Sequence, residues 1–180
     1  MPIEQSSREF EPERISAVAR QLLDASALCA IATVGSGGEA YVNTAYFASD
    51  ADFDVVWISD PHAEHSKNLS ANATAAIAVY DSGQTWTEPD RGIQLFGSAK
   101  EVTGHAVDDA QALYGHRFPA YDRDTLSGYR CYRFRTRRMK LFDEYALGSG
   151  VFVTATVRGG GQITVERTLI YRPKDPLSPP

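Results

Sequence analysis

Five runs of strand length, each closed by turn-forming residues, fill the chain between residues 28 and 103, and they leave little choice of fold class. Leu28 to Val34 is almost wholly apolar, the pattern of a strand buried on both faces. Gly35-Ser36-Gly37-Gly38 is a turn that needs positive φ, and Ala40 to Ser49 follows as a second strand, so the pair reads as a hairpin. Asp50-Ala51-Asp52 turns the chain into a third strand, Phe53 to Ser59. Thr74 to Tyr80 is the fourth. After a polar loop at 81–91, Gly92 to Thr103 is the fifth, with Gly97 marking a bulge or a barrel corner. Tyr129 to Arg135 and Met139 to Phe142 continue as strand. Val151 to Val157 and Gln162 to Tyr171 form a last hairpin around Arg158-Gly159-Gly160-Gly161.

Helices interrupt this pattern at three places. Residues 11–27 place Ile15, Val18, Ala19, Leu22 and Leu23 on one apolar face, with Pro12 in the first turn. Asp60-Pro61 opens a helix from His62 to about Asn72, with Asp60 as its N-cap. His105 to Phe118 is the third, ended by Pro119. Consecutive hairpin strands with inserted helices imply a mainly β fold, an antiparallel Greek-key barrel with helices. The 180 residues suit one domain over 12–171, with a polar segment at 1–11 and a proline-rich tail at 172–180.

Composition narrows the function classes. The net charge of -5 gives no basic footprint for nucleic acid or an anionic membrane. No apolar stretch nears the roughly 20 residues that cross a bilayer, and the start lacks a signal-peptide pattern, so the cytoplasm is the expected location. Cys29 and Cys131 form no Cys-x-x-Cys pair and read as reduced packing residues. GxSxG, HExxH, Walker and GxGxxG motifs are absent. His62 and His65 are three apart, but no third ligand accompanies them, so no metal site is expected.

The segment Ser59 to Asn68, SDPHAEHSKN, carries the most chemistry. A strand ends and a helix begins there, offering free N–H groups and a partial positive charge to an anion. Ser66 and Lys67 add a hydroxyl and an ammonium. Polar helix surface with a solvated lysine is the plainer reading. Asn43, Thr44 and Tyr46 lie one hairpin away, and Trp57 and Tyr80 offer flat apolar surface, whereas Phe47 and Phe53 read as core.

Residues 28–81 followed by RGIQLFGSAKEV at 91–102 resemble the pyridoxamine 5′-phosphate oxidase-like, FMN-binding split-barrel family. A closer likeness is to a bacterial branch with Asn43, Arg91-Gly92-Ile93-Gln94 and Arg117-Phe118-Pro119. The resemblance implies a six-stranded antiparallel split barrel and a homodimer with two flavin sites at its interface. It implies an FMN-dependent oxidoreductase that passes hydride to or from a small molecule. Carried over by position, Ser66 and Lys67 bind the FMN phosphate, Asn43 and Thr44 border the ring, and Ile58 and Ser59 lie beside the phosphate or ribityl chain. Gln94 and Trp86 reach in from the partner. The tail RPKDPLSPP lacks the family's Arg-x-His element, which speaks against pyridoxamine phosphate oxidation. Two alternatives stay open. One is a deazaflavin-dependent reductase, helped by Arg130, Arg133, Arg135, Arg137 and Arg138. The other is a non-catalytic dimer that binds haem through His62 or His65, or no cofactor.

Overall fold

The computed structural model of the chain describes residues 3–6 and 8–171. Its strands are β1 (Ile3–Gln5), β2 (Leu28–Val34), β3 (Ala40–Ser49), β4 (Val55–Ser59), β5 (Thr74–Tyr80), β6 (Arg91–Glu101), β7 (Arg130–Asp143), β8 (Val151–Val157) and β9 (Ile163–Tyr171). Its helices are α1 (Pro12–Ala25), α2 (Glu64–Ala71), α3 (Ala106–Arg117) and the single turn α4 (Glu144–Leu147). The sheet runs β1-β9-β8-β7-β4-β3-β2-β5-β6, and β6 returns to pair with β7. That return closes β2 to β7 into a six-stranded antiparallel barrel. The remaining strands, β8, β9 and β1, extend from the second half of β7, where Arg138–Leu141 face Thr156–Val153.

Alternation sorts the side chains. Phe47, Trp57, Ile31, Ile77, Leu95, Phe134 and Met139 point into the barrel and are fully buried. The α1 stripe Ile15, Val18, Ala19, Leu22 and Leu23 joins the same cluster. Each of the Val, Leu, Ile, Phe and Met side chains among them contributes about 1.5–3 kcal/mol by leaving water. Outside the barrel, α3 covers a smaller cluster of Val56, Ala110 and Cys131. Arg117, at the end of α3, ties the two helices together. Its Nη2 donates to the carbonyls of Leu23 at 3.0 Å and Ser26 at 2.6 Å, which α1 leaves unpaired, and its guanidinium lies 4.5 Å above the Phe47 ring.

The fourteen-residue β7 holds the architecture together. One edge follows β6 over its length, while the other pairs with β4 through Arg130–Phe134 and then with β8. A bulge interrupts the β6 ladder: Phe96 faces Arg138 and Gly97 faces Thr136, leaving Arg137 as the extra residue. A Cβ on Gly97 would sit 1.9 Å from the Arg135 carbonyl oxygen, so no side chain fits. Next to the bulge, the turn before β4 is pinned to β7. Phe53 has a φ of 62°, and Thr136 Oγ1 donates to its carbonyl at 2.6 Å. The Thr136 N–H donates to the buried Asp54 carboxylate at 3.1 Å, and Arg133 pairs with Asp50 at 2.5 Å.

The structure departs from the sequence reading at four points. Ile3–Gln5, inside the polar segment, pairs with β9, because an edge strand of three residues shows no period. Strand β7 is continuous where two pieces were expected, since the bulge shifts the phase of its alternation. Asp60 does not cap α2. Its carboxylate accepts the His62 N–H at 2.7 Å in a turn, and the helix starts later, at Glu64. The single turn α4 has no counterpart in the reading. The tail at 172–180 lies outside the described residues. Among the described residues no helix is long and apolar enough to cross a membrane.

The Gly97 contact has a direct consequence. Gly97→Ala should lower stability by about 2 kcal/mol or more, since the obstacle is backbone and cannot swing aside. Urea denaturation checks this; a change within ~0.5 kcal/mol would mean that the bulge relaxes freely.

Candidate functional site

The barrel opens on one side. Strand β4 pairs with β3 only where Val55–Trp57 face Ser49–Phe47, yet it follows β7 out to Ser59. Beyond Phe47, the β3 residues Asn43–Ala45 therefore have no β4 partner. Helix α2 packs against β2, β3 and β6. It is fastened by the buried Asn68, whose Nδ2 donates to Thr33 Oγ1 at 3.1 Å. The strand end, the turn at 60–63 and α2 bring several polar groups together.

Ser59 and His65 meet there: Ser59 Oγ lies 2.8 Å from His65 Nε2. The His65 ring stands edge-on to Tyr132, with centroids 6.5 Å apart, and Tyr132 stacks on Trp57 at 5.5 Å. Ser66 is buried; its hydroxyl donates to the Asp60 carbonyl at 2.8 Å and also meets the Tyr132 phenol. Lys67 turns outward instead. Its ammonium is 3.8 Å from Glu64 in an exposed i, i+3 pair. Burial pulls the His65 pKa below the ordinary histidine value, favouring the neutral ring.

The other expected site residues divide between two faces. Asn43 is half-buried on the unpaired stretch of β3. Its Nδ2 makes one long bond, 3.5 Å, to the Thr44 carbonyl, and its Oδ1 is buried without a partner. Thr44 and Gln94 lie on the barrel's outer face, in the cross-strand row Thr44–Ala30–Ala78–Gln94. Ile58 points away from α2 and packs beside the α3 cluster. Trp86 stands alone in the loop between β5 and β6, 91% exposed. The structure thus sets Ser59 against His65 and Ser66 against the Asp60 carbonyl and Tyr132, and it leaves Lys67 outside both contacts. In the sequence, His65 stands out only as a candidate metal or haem ligand. A residue pair six apart across strand, turn and helix has no periodic signal.

The outer face has its own character. Leu28, Val42, Tyr46 and Tyr80 are all exposed around the small residues Ala30, Ala32, Ala76 and Ala78. A hollow of about 430 Å³ lies among Leu28, Ala30, Thr44, Tyr46 and Tyr80. Exposed apolar area of this kind is unusual on a surface that faces only water.

Comparison with known proteins agrees with this architecture. The family model for pyridoxamine 5′-phosphate oxidase matches residues 15–143, and the chain belongs to that family. No curated protein matches the sequence. Among solved structures, Campylobacter jejuni ChuZ superposes with a TM-score of 0.67 at 14% identity, over 87% of this chain and 63% of ChuZ. A conserved hypothetical protein of Mycobacterium tuberculosis gives 0.64 at 18% identity, over 81% of this chain and 92% of that one. HutZ, the haem storage protein of Vibrio cholerae, gives 0.55 at 20% identity, over 70% and 89%. At these identities the likeness is one of fold.

The depressed His65 pKa links the site to stability. As pH falls, the unfolded chain protonates this imidazole before the folded chain does. The contribution is complete above the ordinary histidine pKa, near 6.5, and declines as pH drops below it. The urea midpoint should therefore fall between pH 7.5 and 5.5, and His65→Asn should shrink that fall. Identical pH slopes for parent and variant would show that His65 plays no part.

Proposed function

We propose that this member of the pyridoxamine 5′-phosphate oxidase family is an FMN-binding oxidoreductase that acts as a homodimer on a small organic hydride donor or acceptor. The observation that carries this reading is the buried, unpartnered Oδ1 of Asn43 at the opening between β3 and β4. An unmet buried acceptor costs about 1–3 kcal/mol. FMN offers ring N–H and ribityl hydroxyl donors to meet it, so the residues present fit the group.

In this reading Asn43 borders the ring with its side chain and Thr44, whose side chain faces outward, with its backbone. Ser59, with His65 held against it, faces the ribityl and phosphate end, and Ile58 contributes only backbone. The N-terminus of α2 adds its partial positive charge. Ser66 acts from below by fixing the turn at Asp60. Lys67 supplies a full charge for the phosphate; its surface pair with Glu64 is worth at most ~1 kcal/mol, so the ammonium is easily recruited. When bound, FMN supplies the two-electron chemistry. The chain binds it, orients it and keeps water from one face, which needs no acid–base triad. The partner subunit covers the apolar outer face through Val42, Tyr46, Leu28 and Tyr80, and brings Gln94 and Trp86 towards the ring. Nothing about the described site favours haem over flavin, so haem and a deazaflavin are outcomes of the test.

FMN should bind the purified protein at one per chain and quench on binding. Lys67→Ala should weaken it tenfold or more, about 1.4 kcal/mol. Failure of the parent to bind would end the flavin reading, and a Soret band would replace it with haem. Light scattering should give twice the 19.7 kDa chain mass, and Val42→Asp should halve it; a monomeric parent would remove the shared interface.

A further inference from the structure

Strand β7 carries a second accumulation of charge that the flavin reading does not use. Arg133, Arg135, Arg137, Arg138 and Lys140 all stand on its outer face, while Phe134, Thr136, Met139 and Leu141 between them are buried. Strict alternation would turn either Arg137 or Arg138 inward. The bulge at Arg137 prevents this, so two successive arginines face solvent. Lys100 of β6 sits directly opposite Arg133. Like charges opposed across a ladder destabilise a sheet, and they stand here in a chain with a net charge of -5.

Local acids answer only part of this charge. Asp50 and Asp54 lie 2.5 and 3.7 Å from Arg133. Arg135 is 75% exposed at its side chain and makes one long contact, 3.7 Å, to Asp54. Glu101 pairs with Arg130, and Glu166 accepts from Thr156. Lys100, Arg137 and Arg138 have no ion pair among the described residues. Arg138 is held 5.0 Å over the Phe96 ring, which fixes its guanidinium. A hollow of about 750 Å³ lies beside this row; Lys100, Arg133, Arg135 and Arg137 line it together with two acids, Glu101, which Arg130 engages, and Asp109. A second hollow of about 690 Å³ shares Arg137 and also takes in Arg138, but Glu166 lines it too, and it runs onto Ala32 and Ala76 of the apolar outer face.

We propose that this groove, centred on Arg137, binds a phosphorylated small molecule carrying at least two phosphate groups. Guanidinium forks match phosphate oxygens in pairs. More than one uncommitted cation calls for more than one anionic group, and the Ser98 and Thr103 hydroxyls provide neutral donors beside them. The row spans part of one strand and one neighbour. That suits a compact ligand rather than a nucleic-acid track on an acidic chain. The site is separate from the α2 end and does not rest on the flavin reading.

Calorimetric titration of the full chain with inorganic pyrophosphate, at low salt, tests the proposal. Pyrophosphate should bind more tightly than orthophosphate and should be displaced by ADP. Arg135→Gln with Arg137→Gln should weaken it at least tenfold; both side chains are exposed, and circular dichroism checks the fold. Lys67→Ala should leave pyrophosphate affinity unchanged, and the double variant should leave FMN affinity unchanged. Absence of binding would overturn the proposal. So would binding lost on Lys67→Ala but kept in the double variant, which would assign the phosphate to α2. Retention of single-stranded DNA that pyrophosphate cannot displace would also overturn it.

Discussion

Closure of the barrel depends on one ladder, β6 against β7, and that ladder depends on an absent side chain. Gly97 lets the Arg135 carbonyl come where any Cβ would stand, and Arg137 is squeezed out as the bulge. Without that extra residue the two halves of β7 could not both turn their apolar sides inward, Phe134 from the first half and Met139 and Leu141 from the second, into one core. The same strand therefore serves three neighbours. It completes the barrel with β6 and β4, then launches β8, β9 and β1.

The opening between β3 and β4 follows from the same arrangement. Strand β4 keeps company with β7 to its end and so leaves β3 after Phe47. Helix α2 packs on β2, β3 and β6 and adds no strand pairing there; it is tied down by side chains, Asn68 on Thr33 and His65 against Ser59. Backbone and amide groups that a continuous sheet would consume are left available. A fold that needs a polar crevice next to an apolar wall obtains it here from one early parting of strands.

Much of this was legible in the residues. The α1 stripe, the β2–β3 hairpin, the Gly97 irregularity and the barrel class all follow from period and turn chemistry. What was hidden is equally specific. Strand β1 is too short to show alternation. Strand β7 reads as two pieces because a bulge resets its phase amid arginines that any exposed strand face could carry. Asp60-Pro61 looks like a helix start, but the carboxylate serves the turn at His62. Within the candidate site, adjacency in sequence misled in the opposite sense: Ser66 and Lys67 are neighbours, yet one is buried under Asp60 and the other is solvated. Only the three-dimensional meeting of β4, α2 and β7 brings His65 and Tyr132 into view.

The pairings that finish the fold join distant parts of the chain. Val55 meets Phe134, and Ile3 meets Tyr171. Loop entropy must be given up before either contact returns anything, so assembly is governed by slow, non-local steps. Until β7 arrives, β4 and β6 each carry an open edge beside apolar side chains, the state in which β-rich chains associate with one another. The yield of folded protein should thus be set by how quickly β7, late in the chain, reaches edges formed well before it.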